Sequence, residues 1–375
     1  MCLNNDSLFS PQEVQEMGIK EVVIVGTGSA FTEHYLGALM AMKNVRVVGV
    51  VEGALTDEVA NHAVVQSAWK SRSIAEIPSE HNVFESIAIV LTPDHFPVIK
   101  ELVERGFRRI AVEKPLVSRD WEVEEIKRII EWSKVSLYAT DFYIQKLLPL
   151  LIVTGVLTPN DPRYDFVKIQ GVQKNHKELL GPIEGISVQI IEAGDFCLPD
   201  ITKRPWLADN AEIGGMLRDL GTHIFAPLVT AGLITSDVSV HHVDMGRIDN
   251  DNKGLVTVRG RRDPELYVPA LLTEHGIPLS IALGKVPFRG GIWTLVIRGQ
   301  NGTFCAGLRT GQSSVLVSDK GEREHAVFSL KKLPYQTVFE EAFMYFDGTL
   351  PNFDGHLGAF FTSKAIEDKI RKYYL

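Results

Sequence analysis

A lysine stands between a glutamate and a proline at Glu113-Lys114-Pro115, directly after the apolar run Ile110-Ala111-Val112. Such a run reads as a short buried strand, and in an open α/β sheet ligands gather at the carboxyl ends of the strands. At that position Lys114 is either a solvent-facing charge or an ammonium that handles a proton beside a cofactor. A second group with proton chemistry lies in Gly214-Gly215-Met216-Leu217-Arg218-Asp219-Leu220-Gly221-Thr222-His223. This stretch reads mostly as helix, and residues four apart share a helix face, so Gly215, Asp219 and His223 form one row. A carboxylate beside an imidazole orients it and raises its pKa, which makes a general base. The glycine leaves space for a planar group. The plainer alternative is an Asp/His contact on a surface helix.

The elements that must position these groups begin at Glu21. Val22-Val23-Ile24-Val25 predicts a strand buried on both faces, running into Gly26-x-Gly28 and then a helical pattern through Leu36, Leu39 and Met40. Gly26 permits a tight turn, and Gly28 lets the backbone approach a pyrophosphate at a helix N-terminus. A tight turn without a ligand has the same look. The dinucleotide fingerprint expects a third small residue where this chain has Phe31, so unusual pyrophosphate packing is expected. The next strand, Val45 to Val51, ends in Glu52, close to where the dinucleotide fold places an acid on the ribose hydroxyls. A carboxylate there repels a 2′-phosphate and no arginine follows directly, which favours NAD over NADP; the alternative is a solvated strand-end glutamate.

At 375 residues the chain has room for two cores. Its formal charge is −8 without a basic tract, which argues against nucleic acid. The apolar stretches, such as Leu147 to Val156, are too short and interrupted for a membrane span. The N-terminus lacks the pattern of a signal peptide. Cys2, Cys197 and Cys305 have no metal spacing and suggest a reducing compartment, so the expectation is a cytoplasmic protein with no metal. From about Ile19 to Thr140 strands alternate with helices, as in a doubly wound parallel sheet. Beyond about residue 150 strands dominate, with hairpin signals at His275-Gly276 and Asn301-Gly302. One long helix near Gly214 to Leu233 interrupts them, and a last helix spans Leu357 to Tyr373. The fold expected is α/β: a dinucleotide-binding domain over residues 18–145, then an α+β domain over 146–375 on a mostly antiparallel sheet.

Taken together, these pieces resemble the glucose–fructose oxidoreductase/inositol dehydrogenase/rhizopine catabolism (Gfo/Idh/MocA) family. The resemblance rests on Gly26-x-Gly28 with His34, on Glu52, Thr92-Pro93-x-His95 and Glu113-Lys114-Pro115, and on Gly214-Gly215-x-x-x-Asp219-x-Gly221-x-His223. It implies an N-terminal Rossmann domain, then a domain with an open, mostly antiparallel sheet that covers the substrate on one face and pairs in a homo-oligomer, dimer or tetramer, on the other. The last helix is expected to pack back toward the first domain. The resemblance further implies an NAD(P)-dependent dehydrogenase or ketoreductase that moves hydride between nicotinamide and a carbinol carbon of a sugar, inositol or related polyol. Lys114 would stabilise alkoxide charge, His223 would accept the hydroxyl proton, and Asp219 would orient His223 or grip a neighbouring hydroxyl. Gly26, Gly28, Ser29, Ala30, Glu52, Thr92, Pro93, His95 and Glu113 fall where the family holds NAD. A cis peptide before Pro115 would aim the lysine inward.

Departures from the family bear on the substrate. Ile213 replaces the first of three glycines, and Lys146 precedes Pro149 where members carry an arginine. Tyr143, Gln145 and Lys146 are placed to reach a substrate, and Trp206 in Arg204-Pro205-Trp206 either lines a sugar pocket or packs in a turn. Lys174, His176 and Lys177 form a basic cluster, either a contact for an anion or a solvated loop. His241 and His242 cannot both point the same way on a strand, which argues against a metal site from that pair. Two rival functions share the fold: a cofactor-binding regulator without turnover, and an NAD-dependent glycosidase.

Overall fold

The computed structural model describes residues 18–171, 179–193, 207, 214–248, 255–257, 265–286, 291–319, 322–350 and 355–374. Trp206, Arg204, Pro205, Ile213, Cys2, Cys197 and the Lys174/His176/Lys177 cluster lie outside the described residues. Packing divides the chain into two units. One runs up to Glu113 and takes in Ile129–Leu137; the other holds Lys114–Arg128 and the chain from Tyr138 onward.

The N-terminal strands are β1 (Lys20–Val25), β2 (Val45–Val51), β3 (Trp69–Ser71), β4 (Ile87–Val90), β5 (Arg109–Glu113) and β6 (Ser136–Thr140). They form one sheet in the order β3-β2-β1-β4-β5-β6, with the β1–β2, β1–β4, β2–β3 and β4–β5 pairings all parallel. Val22, Val23 and Ile24 have no exposed surface, as a strand covered on both faces requires. The chain order reverses between β1 and β4, which opens the crevice at their carboxyl ends where such sheets bind ligands. After β1 the chain makes a π-helical turn, Phe31–Tyr35, before α1 (Leu36–Ala41). Phe31 and Tyr35 are both fully buried, so the residue that replaces the third small residue of the fingerprint fills the core, and the widened turn carries both rings inward. Helix α2 (His95–Arg105) ends at Gly106, whose φ of 111° lets its N–H reach Leu102 O at 3.1 Å.

Helix α3 (Asp120–Ser133) follows the Lys114 segment. Its start is fixed by the buried Glu122 carboxylate, which accepts from Ser118 N at 2.7 Å and Arg119 N at 3.0 Å. Two short helices, α4 (Phe142–Lys146) and α5 (Leu148–Val153), come next. The remaining strands are β7 (Val167–Gly171), β8 (Ile183–Ala193), β9 (Ser239–Val243), β10 (Gly246–Ile248), β11 (Leu255–Thr257), β12 (Tyr267–Glu274), β13 (Ile277–Val286), β14 (Ile292–Gly299), β15 (Gly302–Gly307), β16 (Gln312–Asp319) and β17 (Glu322–Leu330). They make a second sheet in the order β11-β10-β12-β13-β8-β14-β15-β16-β17-β7, with β9 on β12. Among the described residues only the β8–β13 pairing is parallel, so this sheet is mixed and mostly antiparallel.

The long helix α6 (Met216–Thr230) lies on β12 and β13, and the last helix α8 (Gly355–Tyr374) lies on α6. Between them comes α7 (Pro334–Phe346), which the sequence pattern does not reveal. Leu217, Leu220, Ile224, Phe225 and Leu228 of α6 join Val188, Leu272, Ile281 and Leu283 of the sheet in one core. At roughly 1.5–3 kcal/mol for each such side chain buried, α6 is anchored strongly enough to carry Asp219 and His223 inside with it. No helix among the described residues is long and apolar enough to cross a membrane.

Candidate active site

The glycine loop has the shape a pyrophosphate needs. Gly26 adopts φ 94°, and a Cβ there would stand 3.2 Å from Leu91 C and Thr92 N, so only glycine lets the turn after β1 pack on the turn after β4. A Cβ at Gly28 would meet nothing within 4 Å, which leaves that side of the loop open. Ser29 and Ala30 are half-buried at the start of the helical stretch. Glu52, just past β2, turns toward the loop: its Oε2 accepts from Thr27 N at 2.7 Å and Thr27 Oγ1 at 3.2 Å, and its Oε1 from Ala54 N at 3.2 Å. After β4, Thr92 Oγ1 bonds Asp94 O at 3.3 Å, Pro93 is exposed and His95 is buried at the first position of α2. Glu113, at the end of β5, is buried and accepts a hydrogen bond from Tyr35 Oη. An open glycine turn, a helix start and a strand-end acid on one edge of the sheet fit a dinucleotide.

Lys114 follows Glu113, and the Lys114–Pro115 peptide is cis. Its ammonium donates to Asp219 Oδ1 at 2.8 Å and to the Asp219 carbonyl at 2.7 Å. The ion pair is nearly sealed from solvent, so each charge depends on the other. Asp219 and His223 stand four apart on α6, while Gly215 lies just before its first residue at φ 91°, outside the helical row; the two side chains look to different partners. His223 Nδ1 lies 2.8 Å from Asp141 Oδ1, so Asp141 is the carboxylate that orients the imidazole, and Asp219 instead holds the lysine. Space beside Gly215 is taken too: a Cβ there would stand 2.6 Å from Glu265 Oε1, the atom that accepts from Leu217 N and caps the start of α6.

Asp141 caps α4, accepting from Tyr143 N at 2.8 Å. Because an ionised carboxylate only accepts, the proton in the Asp141–His223 bond sits on Nδ1 and the Nε2 lone pair is left available. The expectation that a neighbouring carboxylate raises the imidazole pKa is reversed. Burial lowers it to about 4, outweighing the opposing pull of Asp141, while the Lys114 ammonium presses it down further. The imidazole is therefore neutral at pH 7. Tyr143 lays its ring on His223 with centroids 4.2 Å apart, and Phe142 meets it edge-on at 5.3 Å. Burial and the nearby Glu192, Asp141 and Asp219 raise the Tyr143 phenol far above its ordinary pKa.

Lys146 lies behind these rings. Its Nζ bonds Leu308 O at 2.8 Å and Arg309 O at 3.3 Å and sits 4.5 Å from the Phe142 centroid; burial lowers its pKa to about 8. Gln145 is buried and donates to Glu341. Two further charged residues carry no sequence motif. Lys285, near the end of β13, is buried, pairs with Glu192 of β8 and comes within 3.7 Å of Asp219 Oδ2. The Asp219 carboxylate is thus bracketed by two ammoniums.

Residues 20–138 match the profile of GFO_IDH_MocA, the oxidoreductase family with an NAD-binding Rossmann fold. No curated protein sequence matches the chain. Among solved structures, KijD10, a 3-ketoreductase from Actinomadura kijaniata in complex with NADP and TDP-benzene, superposes with a TM-score of 0.69 at 14% identity, covering 95% of this chain and 98% of that one. The Bacillus subtilis protein yvaA, described as an oxidoreductase, gives a TM-score of 0.67 at 15% identity over 95% and 97% of the two chains. At such identities the likeness shows the fold.

Proposed function

We propose, from the match of residues 20–138 to the Gfo/Idh/MocA oxidoreductase family with its NAD-binding Rossmann fold, that the chain interconverts a secondary alcohol and a ketone on a sugar, inositol or related polyol. The observation that carries this reading is the pairing of an ammonium with a neutral, carboxylate-oriented imidazole: Lys114 on Asp219 and His223 on Asp141. A 3-ketoreductase with NADP and TDP-benzene among the similar folds supports a carbinol or ketone as the reacting group.

Gly26, Gly28, Ser29 and Ala30 would hold the pyrophosphate, Glu52 the adenosine ribose, and Thr92, Pro93, His95 and Glu113 the path of the remaining cofactor. A nicotinamide held there would supply the hydride acceptor for the carbinol carbon, or the donor for the ketone. In the oxidative direction His223 Nε2 accepts the hydroxyl proton, and Asp141 stabilises the imidazolium that forms. Lys114 donates a hydrogen bond to the same oxygen as its charge develops. Asp219 holds the lysine in place through its Oδ1 and its carbonyl. In reduction the same groups act in reverse, with His223 returning its proton to the alkoxide. Tyr143 walls the imidazole from water, and with Lys146 and Trp206 it is assigned to the substrate side. Residues 18–145 are the dinucleotide domain in this reading, and 146–375 the substrate domain.

The test is absorbance at 340 nm with NAD or NADP against a panel of polyols and sugars, with ketoses and NADH or NADPH for the reverse reaction. Wild type is expected to turn over at least one substrate, and Lys114→Met to lose about 10²–10⁴-fold in rate while still binding the dinucleotide. Equal turnover by the variant would remove Lys114 from the mechanism. Dinucleotide binding without turnover, coupled to cleavage of a chromogenic glycoside, would replace the reading with a glycosidase.

A further inference from the structure

Glu52 has charged neighbours on the adjacent strand. Strand β3 runs parallel to β2 in the register Gly49↔Trp69, Val50↔Lys70 and Val51↔Ser71, and Glu52 N bonds Ser71 O at 3.0 Å. One residue further along come Glu52 and Arg72. They wall a cavity of about 570 Å3 together with Gly53, Ala54, Lys70 and Glu76.

The charges in that cavity are not equivalent. Glu52 is drawn back toward the glycine loop, and its two oxygens already accept from Thr27 N, Thr27 Oγ1 and Ala54 N. Those three donors offset its charge. Lys70 spends its protons on the carbonyls of Val65, Gln66 and Ala68, at 3.2, 3.2 and 2.9 Å, which pins its positive charge in place. Glu76 accepts from the Arg72 backbone N at 3.0 Å. The Arg72 guanidinium is exposed and makes no hydrogen bond or ion pair among the described residues. A guanidinium with its five donors uncommitted is the group best shaped to take a phosphate in two parallel hydrogen bonds.

We propose that Arg72 sets the cofactor preference by taking the 2′-phosphate of NADP(H), so that the chain binds the phosphorylated dinucleotide at least as tightly as NAD(H) despite the acid at Glu52. In this arrangement the carboxylate keeps the 3′-hydroxyl, and the guanidinium, supported by the pinned Lys70 charge, neutralises the phosphate. The proposal rests on the nicotinamide reading above and reverses the preference that Glu52 alone implies.

Calorimetric titration of the whole chain with NADH and with NADPH tests it without any substrate. Expected is an NADPH Kd equal to or below that of NADH. Arg72→Gln, an exposed substitution whose folding is checked by thermal melting, should weaken NADPH at least tenfold and leave NADH within about twofold. Raising salt from 50 to 500 mM should weaken NADPH more than NADH in wild type, and should weaken the two alike in the variant. Weaker binding of NADPH than of NADH by wild type overturns the proposal, as does an Arg72→Gln effect that is equal for the two dinucleotides. If neither binds, the nicotinamide reading falls with it; if NADH binds and Arg72 is indifferent, only the inference about Arg72 fails.

Discussion

His223 is charged at a cost, and that cost is measurable in the stability of the protein. Its pKa is lowered from 6.5 to about 4, first by burial, with Asp141 opposing and Lys114 adding to the shift. A group whose folded pKa lies below its unfolded value binds fewer protons in the native state, so its contribution is complete above pH 6.5 and is lost as pH falls toward 4. At about 1.4 kcal/mol per pH unit across that window, the full loss is roughly 3 kcal/mol, of which about 2 kcal/mol has gone by pH 5. His356, buried and lowered to about 3, acts in the same direction. Glu367 and Asp368, raised by burial to about 8 and 6, gain stability over part of the same descent. A bare pH–stability curve would therefore mix opposing effects. The comparison that isolates His223 is urea unfolding of wild type and His223→Gln at pH 7.5 and pH 5, because the other three groups are common to both proteins. Wild type should lose about 2 kcal/mol more than the variant between the two conditions. Parallel losses would mean that His223 is not buried in neutral form, and the lone pair assigned to proton transfer would go with it.

Two further substitutions probe how the site is held. Asp141→Asn keeps the shape but lets an amide N–H face Nδ1, which moves the imidazole proton to Nε2; turnover in the 340 nm assay should fall about 10²–10⁴-fold with NADH affinity within twofold, and undiminished turnover would return the orienting role to Asp219. Gly215→Ala would press a Cβ to 2.6 Å from Glu265 Oε1 at a φ of 91°. Together, backbone strain and the loss of the bond from Leu217 N should cost about 2–4 kcal/mol in urea unfolding, and an unchanged midpoint would show that Glu265 does not cap α6.

Local signals are legible wherever a single segment carries the whole reason for its structure. The buried run Val22–Val25, the turn at Gly26, the stop at Gly106 and the His275-Gly276 hairpin each follow from a few adjacent residues, and each stands where the pattern puts it. Helix α7 escapes the pattern because Phe339, Ala342 and Phe343 are buried alongside Thr337 and Glu341, so its apolar stripe is interrupted by buried polar groups. Strand β3 is three residues long and none is fully buried, too little for any periodic signal. Phe31 shows the reverse error: it reads as a defect in the phosphate loop until the π-helical turn carries it into the core.

Spacing along the chain does not decide charge partners. Asp219 and His223, four apart on one helix, look like a pair because helical geometry puts them on one face. A side chain's partner, however, is whichever group the tertiary fold brings nearest, and here the chain leaving β6 delivers Asp141 to the imidazole while the segment after β5 delivers Lys114 to the aspartate. Lys285 and Glu192 are paired by the parallel β8–β13 register, 93 residues apart in the chain. Glu52 and Arg72 obey the same rule at the ends of β2 and β3. An acid at a strand end argues against NADP only while its neighbours in sequence are the ones considered. The potential a phosphate would meet is set by its neighbours in space, and a parallel sheet places those on the next strand, about twenty residues further along.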